Sequence, residues 1–291
     1  MLHEARTLAQ PAPRYALNPA MPVLLRPDGA VQVGWDPRRA VVVRPPRGLT
    51  AAALAGLLRT MRSWAALSEL QCAAAEQGLA DVDELADLLT QLVDAGVASQ
   101  ASAHGGGRSA SIRVHGRGPL SDLLVDALRC SGARVKHSSQ PHAAASGAGT
   151  DLVVLSDYLV VDPRMLRDLR AERVPHLPVR LRDGTGLVGP LVIPGVTSCL
   201  ECADLHRKDR DPAWPALAAQ LRDTVGTADR ATLLATAALA LSQIHRVIGA
   251  VRGEDAADPG PPTALNATLE FDLHAGSIVA RQWRKHPLCS C

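Results

Sequence analysis

Net charge is nearly absent from this 291-residue chain, in which 31 Lys and Arg face 29 Asp and Glu for a formal +2. That balance supplies no general field for nucleic acid or an anionic membrane, so neither is expected as a partner. Aromatic residues make up only 2%, and lysine is reduced to Lys136, Lys208 and Lys285. The arginines that stand in for lysine are scattered, which argues against a phosphate clamp and for compositional bias. The stretch from Met1 to Pro22 lacks an apolar core behind a basic start, so no secretory signal is expected. The most apolar segment, Ala231 to Ala250, is alanine-rich and broken by Gln243, His245 and Arg246. It reads as a buried helix rather than a membrane span. A cytoplasmic protein is the expectation, and there thiols stay reduced.

What is present is ordinary globular material, 47% hydrophobic and 21% charged, with length for two domains. The first, residues 21–99, opens with short β-type runs, Val23–Arg26 and Val31–Trp35, around Asp28-Gly29. Val41-Val42-Val43 makes a third strand. Leu54, Leu57, Leu58 and Met61 form a helical stripe, and Leu67, Leu70 and Ala74 begin another that stops at Gly78. A third helix starts on a capping-box-like Asp81 and Glu84 and carries Leu85, Leu88, Leu89, Leu92 and Val93 before Gly96. Three strands followed by three helices suggest a winged-helix module. Its third helix holds Asp81, Asp83, Glu84, Asp87 and Asp94 with no Lys or Arg, which counts against a DNA-recognition role.

Ser99–Ser109 reads as a linker, and residues 110–291 as an α/β domain. Ile112–His115, Leu120–Cys130, Ala133–Lys136, Leu152–Leu155 and Pro163–Arg173 alternate strand and helix, the pattern of a parallel sheet. Val179–Ile193 reads as irregular strands, Asp229–Val251 as a long helix, and Leu265–Leu273 with Ser277–Trp283 as a terminal hairpin.

Four of the six cysteines form two tight pairs, Cys199-x-x-Cys202 and Cys289-x-Cys291. Four thiolates suffice for a closed, tetrahedral structural zinc site with ligands about 2.3 Å from the metal. Such a site would tie the tail to the loop ahead of the long helix. His206 and His286 lie near enough to substitute but are not needed. Redox use of the C-x-x-C pair, or unliganded thiols, are the alternatives. Cys72 and Cys130 read as buried and inert.

Gly116-Arg117-Gly118-Pro119-Leu120-Ser121 sits between a strand and a helix, where a nucleotide fingerprint would lie, but its third glycine is missing. About 20 residues on, where a ribose-binding acid is expected, Arg134 to Ser138 contains neither Asp nor Glu. The turn therefore reads as structural, and any anion it does bind would sit on the helix N-terminus after Gly118.

These pieces together resemble a known family. The front end is similar to the precursor-peptide recognition element of ribosomal peptide modification systems. From Ile112 onward the chain resembles the ThiF/E1-like activating enzymes, and most of all their divergent branch beside the azole-forming cyclodehydratases of thiazole/oxazole-modified peptides. The residues that carry the likeness are His176–Val179, Gly186–Leu191, Cys199-x-x-Cys202, Asp204–Arg207, Asp209–Asp211 and His286–Cys291.

The resemblance implies an E1-like Rossmann-type sheet with a structural zinc on Cys199, Cys202, Cys289 and Cys291. It places Asp157 at the family's metal–phosphate aspartate, beside Gly116 and Gly118, in a vestigial nucleotide site that is not expected to bind ATP. It implies a subunit with no catalytic residues of its own. This subunit would bind a precursor leader peptide and present it to a separate ATP-using cyclodehydratase, with a homodimer also implied. The peptide is expected on Val41, Val42 and Val43 and on the third helix through Leu85 and Leu89. Two other readings stay open, an E1-like enzyme that adenylates a carboxylate with Asp157 and magnesium, and a winged-helix DNA-binding regulator.

Overall fold

The computed structural model describes residues 13–101, 108–140, 149–253 and 261–291. Parts of the linker (102–107) and of the polar stretch after the second strand of the α/β domain (141–148) lie outside the described residues. The described chain divides into two compact units, residues 13–101 and residues 108–252 with 261–291.

In the first unit, β2 (Val23–Leu25), β3 (Val31–Val33) and β4 (Val41–Val43) form an antiparallel sheet in the order β2-β3-β4, the hairpin turning at Asp28-Gly29. A second sheet, β5-β1-β6, pairs β1 (Arg14–Leu17) with β5 (Ala65–Ala66) and β6 (Ala98–Ala101). The short polar-flanked runs of this second sheet give little periodic signal, so the unit starts earlier than the hydrophobic pattern indicates. α1 (Ala51–Thr60) is capped by Thr50, whose Oγ1 accepts from Ala53 N at 3.1 Å. α2 (Leu67–Glu76) and α3 (Val82–Asp94) follow. Asp81 does cap α3, accepting from Asp83 N at 2.9 Å, but the expected box is not closed. Glu84 instead accepts from the backbone N–H of Arg47 at 2.8 Å, joining α3 to the segment before α1. Leu54, Leu58, Met61, Leu85, Leu89 and Leu92 are fully buried together in one core.

In the second unit a seven-stranded sheet runs in the order β13-β12-β11-β10-β9-β7-β8. Its strands are β7 (Ser111–His115), β8 (Arg134–Ser138), β9 (Leu152–Ser156), β10 (His176–Arg182), β11 (Thr185–Val188), β12 (Ala267–Asp272) and β13 (Ser277–Gln282). Only β8-β7-β9-β10 is parallel, while β10 through β13 pair antiparallel. The expected parallel sheet is therefore mixed. The physical reason is local: β10 returns into β11 through the tight turn at Asp183-Gly184, which forces antiparallel pairing. The Gly- and Pro-rich stretch read as irregular strands thus contains two regular ones.

α4 (Pro119–Arg129) and α8 (Arg230–Arg252) cover one face. By length and apolarity α8 could cross a membrane. Here Leu233, Ala237, Ala240, Ile244 and Ile248 are buried with the sheet and α4 residues in one core. Gln243, also buried, is satisfied by accepting from Thr263 Oγ1 (3.1 Å) and Ala264 N (3.0 Å). α5 (Pro163–Ala171), capped by Asp162, packs on the other side through Met165 and Leu169. Two helices absent from the sequence reading, α6 (Leu200–Arg210) and α7 (Trp214–Leu221), follow the first cysteine pair. Both are strongly polar or short, so neither shows a clean apolar stripe.

Candidate functional site

Cys199 is the N-cap of α6 and Cys202 lies in its first turn, so the first pair sits on a helix start rather than on a loop. The tail brings Cys289 and Cys291 to it. Sγ of Cys199 lies 3.7 Å from that of Cys202 and 3.5 Å from that of Cys289, and Cys202 lies 3.4 Å from Cys291. All four sulfurs fall within 4.8 Å of one another, and none is disulfide-bonded. A tetrahedron with metal–sulfur bonds of about 2.3 Å has sulfurs about 3.8 Å apart, so the donor set fits a four-thiolate metal such as zinc. Burial pushes the Cys199 thiol up and that of Cys289 up to about 11. Burial opposes ionisation at Cys202 too, yet the backbone N–H groups of His286 and Cys199 draw it down to about 7.

The tail is held by more than sulfur. Arg170 on α5 donates to the carbonyl of Ser290 and to its hydroxyl (3.1 Å), and pairs with Glu201 of α6 at 3.5 Å. Buried His286 meets Asp209 of α6 at 2.8 Å through Nε2, while its Nδ1 accepts from Leu288 N at 3.1 Å. His206 contacts the Arg284 carbonyl through Nε2 at 3.1 Å and stacks edge-on with His286 at 4.7 Å. The two histidines therefore clamp the tail and do not join the thiol set.

Gly116, Gly118 and Asp157 also converge. Asp157, at the end of β9, is 1% exposed and adopts a left-handed φ of 71°. Its Oδ1 accepts from Leu120 N at 3.0 Å and its Oδ2 from Ser121 N at 3.2 Å, so a carboxylate of the chain itself occupies the N-terminus of α4. A Cβ on Gly118 would lie 2.8 Å from Asp157 Oδ1, and one on Gly116 would lie 2.4 Å from the Ser156 carbonyl oxygen. The glycines are thus required by the approach of β9. Burial raises the Asp157 pKa against the pull of its hydrogen bonds to Ser121 and Leu120. On the other flank, His137 Nε2 lies 3.0 Å from the Gly116 carbonyl, and burial pushes neighbouring His115 down to about 4. Asp162 caps α5, and nothing acidic from β8 faces the turn.

The peptide candidates separate. In β4, an outer strand of its sheet, Val42 is 50% exposed, Val41 half-buried and Val43 buried. Leu85 and Leu89 lie fully inside the core, so the expectation that they offer an outer face of α3 is corrected: the stripe is consumed by packing. The outer face of α3 instead carries exposed Asp81, Asp83, Asp87 and Asp94. Cys72 and Cys130 are exposed, against the buried reading, because Cys72 lies on the face of α2 opposite buried Leu70 and Ala74 and Cys130 is the C-cap residue beyond α4.

No family model matches the chain, and no curated protein matches it in sequence. The fold, however, recurs in solved structures. A heterocyclase in complex with substrate and cofactor aligns over 96% of this chain at TM-score 0.64 and 15% identity. The heterocyclase TruD aligns over 96% at TM-score 0.63 and 16% identity. This chain spans 39% and 42% of those two proteins' lengths. MccB of E. coli, solved with ATP, aligns over 95% of this chain and 99% of its own at TM-score 0.54 and 11% identity. The chain therefore has a mixed α/β fold related to that of the heterocyclases and of MccB.

Proposed function

We propose that this chain is a substrate-presenting partner in azole-type modification of ribosomal peptides, binding a precursor leader peptide for a separate ATP-using cyclodehydratase. The observation that carries the reading is β4. It is an edge strand whose outward backbone groups are open to an added strand, beside half-exposed Val42. An extended leader would add there, main-chain hydrogen bonds giving affinity and side-chain contacts register. The first unit acts in this reading as a winged-helix recognition module, and the four-thiolate site as structural zinc in the second.

The chain does not adenylate in this reading. Support comes from Asp157, which already fills the helix terminus where a phosphate would sit. The acidic outer face of α3 likewise disfavours a DNA-binding regulator. The test is calorimetric titration with the leader region of a short Cys/Ser/Thr-rich precursor encoded nearby, alongside pyrophosphate exchange. Saturable binding that fails in Val42→Lys, with no exchange, is the expected result. Binding by no such leader, or exchange with one, overturns it.

A further inference from the structure

Between the antiparallel half of the sheet and the α6–α7 pair lies a cleft of about 550 Å³, separate from the thiol set and from the glycine turn. Arg180 of β10 lines it, although only 9% of that residue is exposed. Its single hydrogen bond runs from Nη1 to the Leu159 carbonyl at 2.8 Å, and no carboxylate pairs with it among the described residues. Of the four lining acids, Glu270 and Asp204 already hold other partners, although Asp204 still favours the Arg180 charge at longer range. Glu270 accepts from Arg182 at 3.2 Å and from Arg281 at 2.6 Å, and Asp204 from Arg207 at 2.7 Å and Trp214 Nε1 at 3.2 Å. The donors of Arg180 that remain open face into the cleft, since none of them is a buried atom without a partner, and they are free to receive an anion there.

The surrounding surface says what that anion is carried on. Arg207 lies between the rings of Trp214 and Trp283, 5.1 and 5.2 Å from their centroids, and Asp204 fixes both Arg207 and Trp214. The remaining wall includes Val160, Leu187, Leu200 and Leu221. Five lining arginines face four lining carboxylates, an excess of one positive charge that matches a monoanion. An adjoining cavity of about 410 Å³ shares Val160, Val161 and Leu200 with the cleft and exposes the flank of Arg222, whose buried Nε has no partner among the described residues.

We propose that this cleft binds a small carboxylate carried on an apolar or aromatic body, the carboxylate on the fork of Arg180 and the body against Trp214 and Trp283. The geometry is that of a ligand pocket in which an apolar wall faces charged side chains, Asp204, Arg207 and Trp214 among them held by their own supporting bonds. The proposal stands apart from leader binding at β4, and a failure of either leaves the other intact.

The experiment titrates the full chain with 3-phenylpropionate, phenyl phosphate and benzyl alcohol, following tryptophan fluorescence and heat. Saturable binding of 3-phenylpropionate, with phenyl phosphate weaker and benzyl alcohol undetected, is expected. Arg180→Met should weaken 3-phenylpropionate by about tenfold or more while melting no lower than the parent, because it removes a buried charge that lacks a direct ion pair. Equal binding of benzyl alcohol would reduce the cleft to an apolar pocket, and preference for phenyl phosphate would reassign the anion; each overturns the proposal, as does no binding. Should Arg180→Met fail to fold, the selectivity of the parent protein among the three probes decides alone.

Discussion

The carboxylate of Asp157 receives the backbone N–H of Leu120 at 3.0 Å, joining the end of β9 to the first turn of α4 across 37 residues of chain. A glycine turn ahead of a helix is ordinarily an open anion cradle. In this protein the cradle is closed from within, and its glycines serve the approach of a strand end.

That closure has a stability consequence. Asp157→Ala leaves the N–H groups of Leu120 and Ser121 buried without acceptors, at a cost of about 1–3 kcal/mol in chemical denaturation. Gly118→Ala places a Cβ 2.8 Å from Asp157 Oδ1 and is expected to cost a similar amount, about 1–3 kcal/mol. A parent-like denaturation midpoint in both variants would contradict the internal pairing.

For the thiol set, one zinc per chain is expected by metal analysis. Chelation and Cys199→Ser should each lower the melting temperature of the second unit, since metal binding and folding are coupled there. Arg170→Ala frees the Ser290 carbonyl between two ligands and should weaken zinc by about tenfold in a competition titration. A metal-free protein as stable as the zinc-loaded one would be decisive against a structural role.

The fate of the α3 stripe predicts a contrast. Leu89→Ala should destabilise the first unit by about 2–5 kcal/mol, because the side chain is fully buried. Val42→Lys should leave the melting curve nearly unchanged and act only on peptide binding. Equal destabilisation by both would place Val42 in the core and remove β4 as an edge.

A pH effect follows from Asp151. The hydrogen bond from Arg108, helped by Ser111 N at 2.8 Å, holds its carboxyl below the ordinary value of 3.8. A depressed folded-state pKa contributes stability above 3.8 that is lost as pH falls through the lower, folded value. Asp151→Asn should therefore melt below the parent at neutral pH, with the gap narrowing under acid. A gap independent of pH would assign the loss to geometry rather than charge.

Much of the local order was written in short-range patterns. The Asp28-Gly29 hairpin, the Leu-rich stripes of α1 and α3, the buried run of β9 and the long α8 are periodic or punctuated segments whose shape depends on neighbours a few residues away. The two cysteine pairs announced a common site because paired thiols at such spacing are the pattern of a metal-ligand set. Long-range relationships carried no such mark. The pairing of β1 with β5 and β6 and the clamp of Asp209 on His286 join residues separated by several dozen positions. So do the closure of the glycine turn by Asp157 and the convergence of Arg180, Trp214 and Trp283 on one cleft. Each depends on which surfaces remain after the apolar stripes are buried, and only the folded chain determines that, because packing and desolvation act between elements that local propensity treats as independent.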